Sequence, residues 1–140
     1  MLDRKANRLR IPQGASIIFV GEYLPTEETM QYAIAFRNDS VGIGDSYVVA
    51  DKRVGGALYS ANVPYTWGRI GGRIWCHGIF EHPDNAAPVG IGSHYAGASV
   101  YQWAGELRAA VYDRTLTEGE ALAVARQLAL SLSLSLSLSG

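Results

Sequence analysis

Residues 101–129 read YQWAGELRAAVYDRTLTEGEALAVARQLA, a strand that passes through a tight turn at Asp113, Arg114 and Thr115 into a helix. Thr117 followed by Glu120 has the spacing of a capping box, in which the threonine hydroxyl takes a backbone N–H of the first turn and the glutamate reaches back to the cap. Leu122, then Val124 or Ala125, then Leu128 fall on one face of the helix that follows. A strand feeding directly into a capped helix predicts a β body closed at one end by that helix.

Working outward, RLRIPQGASIIFVGEYL (8–24) gives two apolar runs broken by Pro-Gln-Gly, the pattern of strand, turn, strand. MQYAIAFRN alternates until DSVGIGDS breaks it, and YVVADK and GALYSANV follow as short strands separated by RVGG. GGRIWCHGIFE is the densest apolar strand. It places Ile74, Cys76, Gly78 and Phe80 on one face and Trp75, His77 and Ile79 on the other, so both faces are expected to be covered. VGIGSHY is a short returning strand and ELRAAVYD the last one of the body. Short strands with turn chemistry between them, and no helix before the end, imply an all-β antiparallel sandwich or jelly roll with one short C-terminal helix.

The 140 residues suffice for one hydrophobic core. The expected organisation is a basic arm at 1–10, a sandwich with its helix at 11–130, and a Ser-Leu tail at 131–140. Apolar residues make up 48% and charged ones 18%, which excludes a disordered chain. A formal net charge of −1 excludes general nucleic-acid binding, which needs a cationic surface. Arg4, Lys5, Arg8 and Arg10 form a local exception, an arm suited to phosphate, an acidic neighbour or water. A single cysteine, Cys76, excludes an internal disulfide. ASIIFV is too short to span a membrane and no secretory core precedes it, so work outside a cell would require another export route.

The run WAGELRAAVYDRTLTEGE, 103–120, resembles the closing motif of the concanavalin A-like, laminin-G-like jelly rolls: a Gly, a strand ending in a Tyr-Asn/Asp-Arg turn, then Leu, Ser/Thr and a helix bearing Glu. Gly105, Leu107, Val111, Tyr112, Asp113, Arg114, Leu116, Thr117 and Glu120 occupy those places. RLRIPQGASIIFVGEYLPT, GGRIWCHGIFE and VGIGSH resemble other strands of the same family. The chain departs from it at Arg108 and Ala109, where an acidic pair is common, and in the hairpin shortened to HPDNAAPVGIG. It also has little room before residue 8 for the strand that would lie beside the last one. Without that strand a sheet edge is left open, and something should cover it.

Enzymatic chemistry does not assemble. No strand carries alternating carboxylates for glycoside hydrolysis, Gly-x-Ser-x-Gly is absent, and the glycines of GIGDS and GRIGGR do not sit between a strand and a helix. Cys76 and His77 point to opposite faces, which sets them against a shared metal; a core Cys76 with surface or interface histidines, His77, His82 and His94, is the reading preferred. No cofactor is expected, with calcium on Asn38, Asp39 and Asp45 of the RNDSVGIGDS loop as the alternative the resemblance raises. Tyr65 and Trp67 in a loop, with Tyr95 and Tyr101 near another, are candidates for stacking on sugar rings; caps on the ends of the core are the competing reading, favoured for Trp75 and Trp103.

SLSLSLSLS, 131–139, alternates perfectly. As a strand it places Leu132, Leu134, Leu136 and Leu138 on one face, suited to joining a sheet edge of its own chain or of a neighbour; the alternative is an unstructured low-complexity tail. Two functions follow. One is a non-catalytic structural module, a virion decoration or tail component at a particle or outer surface, partnered by other subunits or copies of itself. The other is a carbohydrate-binding module that takes surface glycans on loop aromatics. Neither nucleic acid nor membrane insertion is expected.

Overall fold

Ala15–Gly21 (β1) is buried at every residue, because it lies between two layers. Ala15, Ile17 and Phe19 enter one apolar core, while Ile18 and Val20 point the opposite way into a second. The computed structural model in which this is seen describes residues 11–38, 44–81, 89–94 and 101–139, with the backbone alone at 37, 38, 44, 45 and 135–139.

β1 pairs antiparallel with Arg73–Phe80 (β6) on one side and Leu107–Tyr112 (β8) on the other, and Tyr65–Ile70 (β5) adds to β6. This four-stranded sheet has the order β5-β6-β1-β8. A second sheet is formed by Met30–Asn38 (β2), Gly44–Asp51 (β3), Ala57–Ala61 (β4) and Val89–Ile91 (β7), in the order β4-β3-β2-β7. The sheets pack around Ile17, Phe19, Ile34, Phe36, Val48 and Phe80. The architecture is therefore the all-β antiparallel sandwich expected, closed by one helix, Glu118–Ser139 (α1).

β6 carries cover on both faces, as its double apolar pattern implied: Ile74, Cys76 and Phe80 belong to the core between the sheets, and Trp75 to the one beneath α1. Ala121, Ala125 and Ala129 line the buried face of α1, with Leu122, Val124 and Leu128 packed at its flanks. Alanines let the helix axis approach the sheet closely, so the leucines cover the sides of the contact. The capping box forms as read: Thr117 N–H donates to Glu120 Oε1 at 3.0 Å and Glu120 N–H to Thr117 Oγ1 at 3.2 Å. Leu116 folds inward and is buried.

The tail departs from the expectation. Residues 131–139, carrying Leu132, Leu134, Leu136 and Leu138, continue α1 instead of forming a strand, and the helix crosses the boundary drawn at 130/131 without a break. Once capped and nucleated, a helix extends at little cost and satisfies its own backbone, whereas an alternating strand needs an edge to pair with. The buried stripe also carries over, from Ala129 to Leu132, which is fully buried. Ser133 Oγ then accepts from Arg73 Nη1 at 2.9 Å, tying the overhang to β6. Leu134 lies on the far side, 56% exposed.

Among the described residues nothing pairs with the outer edge of β8. Glu22 N–H donates to Glu106 O at 2.9 Å, which sets the alternation so that Leu107, Ala109 and Val111 direct their backbone groups outward. Arg108 Nη1 donates to the Leu107 carbonyl at 3.0 Å and so caps part of this edge. The basic arm, residues 1–10, lies outside the described residues.

Candidate functional site

The outer face of the second sheet carries a row of aromatic rings. In the ladder Tyr32 stands opposite Val49 and Val49 opposite Tyr59, while Tyr47 stands opposite Ala35 and Ala61 in the neighbouring row. Ile34, Phe36, Val48 and Ala50 enter the core, so strand alternation turns Ala35, Tyr47 and Val49 to the other side. Val49 and Ala35, on this same face, are 0% and 1% exposed, Val49 in register between Tyr32 and Tyr59 and Ala35 beside Tyr47.

Neighbouring rings meet edge to face, the favoured arrangement of aromatic quadrupoles. The Tyr59–Tyr47 centroid distance is 6.5 Å and the Tyr47–Tyr32 distance 6.0 Å. Tyr32 then meets Tyr101 at 6.2 Å and His94 at 5.6 Å. The row therefore crosses three strands and ends on two loop residues.

Local backbone devices aim this row. A bulge between Tyr32 and Ile34 puts both Ala33 and Ile34 into the core and leaves Tyr32 outward; bulges re-aim side chains in this way. Tyr101 has a left-handed backbone, φ 61°, uncommon for a residue with a side chain, and its carbonyl accepts from Tyr32 N–H at 2.8 Å. Gln31, itself buried, holds the same segment: its Oε1 accepts from Ala104 N–H at 3.0 Å and its Nε2 donates to the Leu24 carbonyl at 2.7 Å. Trp103 N–H donates to Gly92 O at 2.9 Å.

At the other end lies an ion pair. Asp51 accepts from Arg53 through Nε at 3.1 Å and Nη2 at 3.0 Å, and also from the Arg53 backbone N–H at 2.9 Å. These bonds hold the Asp51 carboxyl below its ordinary range, and burial together with Tyr47 and Asp51 pushes the Tyr59 phenol up, so it stays protonated. The row thus offers half-buried rings, phenol hydroxyls and, at one end, an exposed guanidinium.

The residues singled out from sequence do not come together. Tyr101 lies in this row and Tyr95 lies outside the described residues. Tyr65 and Trp67, expected in a loop, occupy β5 on the other sheet, and both pack against the core between the sheets. The reason is the Gly71-Gly72 turn, with Gly71 at φ 61°, which folds YTWGRI back onto RIWCHG as a tight hairpin. Arg69 lies over the Trp67 ring at 5.6 Å. Sequence reasoning missed Tyr32, Tyr47 and Tyr59, although Tyr47 and Tyr59 stand at the alternate, non-core positions of their strands. Of the calcium candidates, Asp39 lies outside the described residues, while Asn38 ends the β2–β3 ladder opposite Gly44 and Asp45 stands one pair in, opposite Arg37. Among the described residues no three His, Cys, Asp or Glu converge as metal ligands. Cys76 and His77 face opposite cores, and burial pushes the Cys76 thiol up. Among the described residues no helix is long and apolar enough to cross a membrane.

No family model matches the chain and no curated protein matches it. Among solved structures, the sialidase NanB from Streptococcus pneumoniae superposes with a TM-score of 0.42 at 10% identity, over 82% of this chain. The chain spans 24% of the sialidase's length. A likeness at this level carries no argument.

Proposed function

We propose that this sandwich is a non-catalytic recognition module that takes a carbohydrate on the tyrosine row of its second sheet. The observation that carries the reading is the outward set Tyr59, Tyr47, Tyr32 and Tyr101, aimed by a bulge and by a left-handed residue rather than spent on the core. Tyrosine offers an apolar face to sugar C–H groups and a hydroxyl to sugar hydroxyls, with little side-chain entropy to lose. The carboxyls of Asp51 and Glu120 are both held low by arginines, the reverse of what a general acid needs. The lectin-like family that the closing segment resembles fits the same reading.

Binding of the full-length chain to a glycan array tests it. Tyr47→Ala should weaken retention about tenfold, the size of one aromatic contact, and Trp67→Ala should leave retention unchanged because that ring lies on the other sheet. Retention indifferent to Tyr47→Ala would remove the row as the site.

A second reading, assembly with other subunits at a virion or other outer surface, is favoured by Leu130 and Leu134, 55% and 56% exposed on a helical segment without charge from Gln127 onward. Light scattering of Leu130→Gln/Leu134→Gln beside the unaltered chain tests it: a larger assembly that falls apart supports this reading, and equal masses end it.

A further inference from the structure

Beneath the start of α1 lies a hydrogen-bonded relay that neither reading uses. Ser16, fully buried on β1, accepts from Leu116 N–H at 2.8 Å, and its Oγ lies 2.7 Å from His77 Nε2 on β6. Leu116 is the residue that carries the chain from the β8 turn into α1, and it packs with Ile18, Val20 and Trp75 against the helix. Since the Ser16 oxygen already receives an N–H, its own hydrogen is best placed on Nε2, and His77 is then the neutral tautomer protonated at Nδ1.

We propose that the Ser16–His77 relay is an acid-sensitive latch that holds α1 against the sheet, and that proton uptake by His77 releases the helix and uncovers Ile18, Val20 and Trp75. A protonated Nε2 becomes a donor. Ser16 Oγ then receives two N–H groups, and its own hydrogen is left without an acceptor in a buried setting, a costly arrangement. The imidazolium itself, at a residue 4% exposed, is also poorly solvated. The groups facing His77 offer limited relief. Thr66 on β5 and Ile18 on β1 stand opposite it without charge, Tyr112 on β8 stands opposite Ser16, and Glu118 on α1 is the acidic group that attracts the proton. Burial outweighs Glu118 and sets His77 below the ordinary histidine value. A group depressed in this way contributes stability that is present above the unfolded value and is lost as pH falls through the folded one. The latch is therefore closed at neutral pH and opens in mild acid.

Amide hydrogen exchange of α1 in the full-length chain, corrected for intrinsic rates, reads the latch between pH 7.5 and 4.5. Protection across residues 121–132 should fall in acid by about tenfold per pH unit for a single proton over the window where His77 titrates. His77→Gln, which puts a non-titrating acceptor near the position of Nε2, should hold protection steady over the same range, and Ser16→Ala should lower it at both ends. Loss of protection in His77→Gln of the same size and midpoint as in the unaltered chain would overturn the proposal. An NMR titration of His77 in the unaltered chain decides independently of either variant: protonation coincident with the loss of protection supports the latch, and protonation while α1 stays protected overturns it.

Discussion

Arg114 donates to Glu120 through Nη1 at 3.1 Å and Nη2 at 2.7 Å, and the same carboxylate accepts from the cap residue Thr117. These bonds, the Arg114 pair first, bring the Glu120 carboxyl down to about 2. Its folded value lies below the unfolded one, so its contribution is present above the ordinary carboxylate range and is lost as pH falls through about 2. Thermal melts should therefore show Glu120→Gln least stable relative to the unaltered chain near neutrality, with the gap closing in acid. Thr117→Ala removes the other half of the box and should cost about 1 kcal/mol in urea denaturation. Gly105 is constrained by space: a Cβ there would meet the Glu22 carbonyl oxygen. Gly105→Ala should destabilise by about 1–3 kcal/mol by the same measurement, since backbone rather than a flexible side chain would have to move.

α1 and β8 each carry a consequence that single side chains do not. If 131–139 were a strand with its leucines on one face, Leu132 and Leu134 would respond alike to truncation. In the helix they lie on opposite sides, 0% and 56% exposed. Leu132→Ala should cost about 2–5 kcal/mol and Leu134→Ala within about 0.5 kcal/mol, read from urea midpoints. The β8 edge depends on Arg108, whose guanidinium occupies the Leu107 carbonyl. Arg108→Val frees that acceptor and adds a β-branched apolar residue, so turbidity on heating should appear earlier than in the unaltered chain, at equal concentration.

For the chain as one body, β1 is what joins the layers. Ile17 and Phe19 pack toward the second sheet and Ile18 and Val20 toward α1, so loss of β1 would dissolve both cores at once. Far-UV circular dichroism and tryptophan fluorescence should report coincident unfolding transitions at neutral pH, Trp103 reading the core between the sheets and Trp75 the core beneath the helix. Separate transitions would mean that α1 leaves the sheet on its own.

The capping box, the two-faced β6 and the all-β sandwich were legible in the residues, because each rests on local spacing or on the two-residue period of a strand. The tyrosine row was not. Tyr32, Tyr47, Tyr59 and Tyr101 come from separate parts of the chain, and only the β2–β3–β4 register and the backbone of Tyr101 make them neighbours. Trp67 was misplaced because its loop-like surroundings become a hairpin once β6 is there to pair with it. The Ser-Leu repeat carries a strand period, yet no described strand pairs with it; α1 instead supplies a nucleated helix end and Arg73 a partner for Ser133. Periodicity states what a segment would hide as helix or strand, and the surface available to hide it against selects between them.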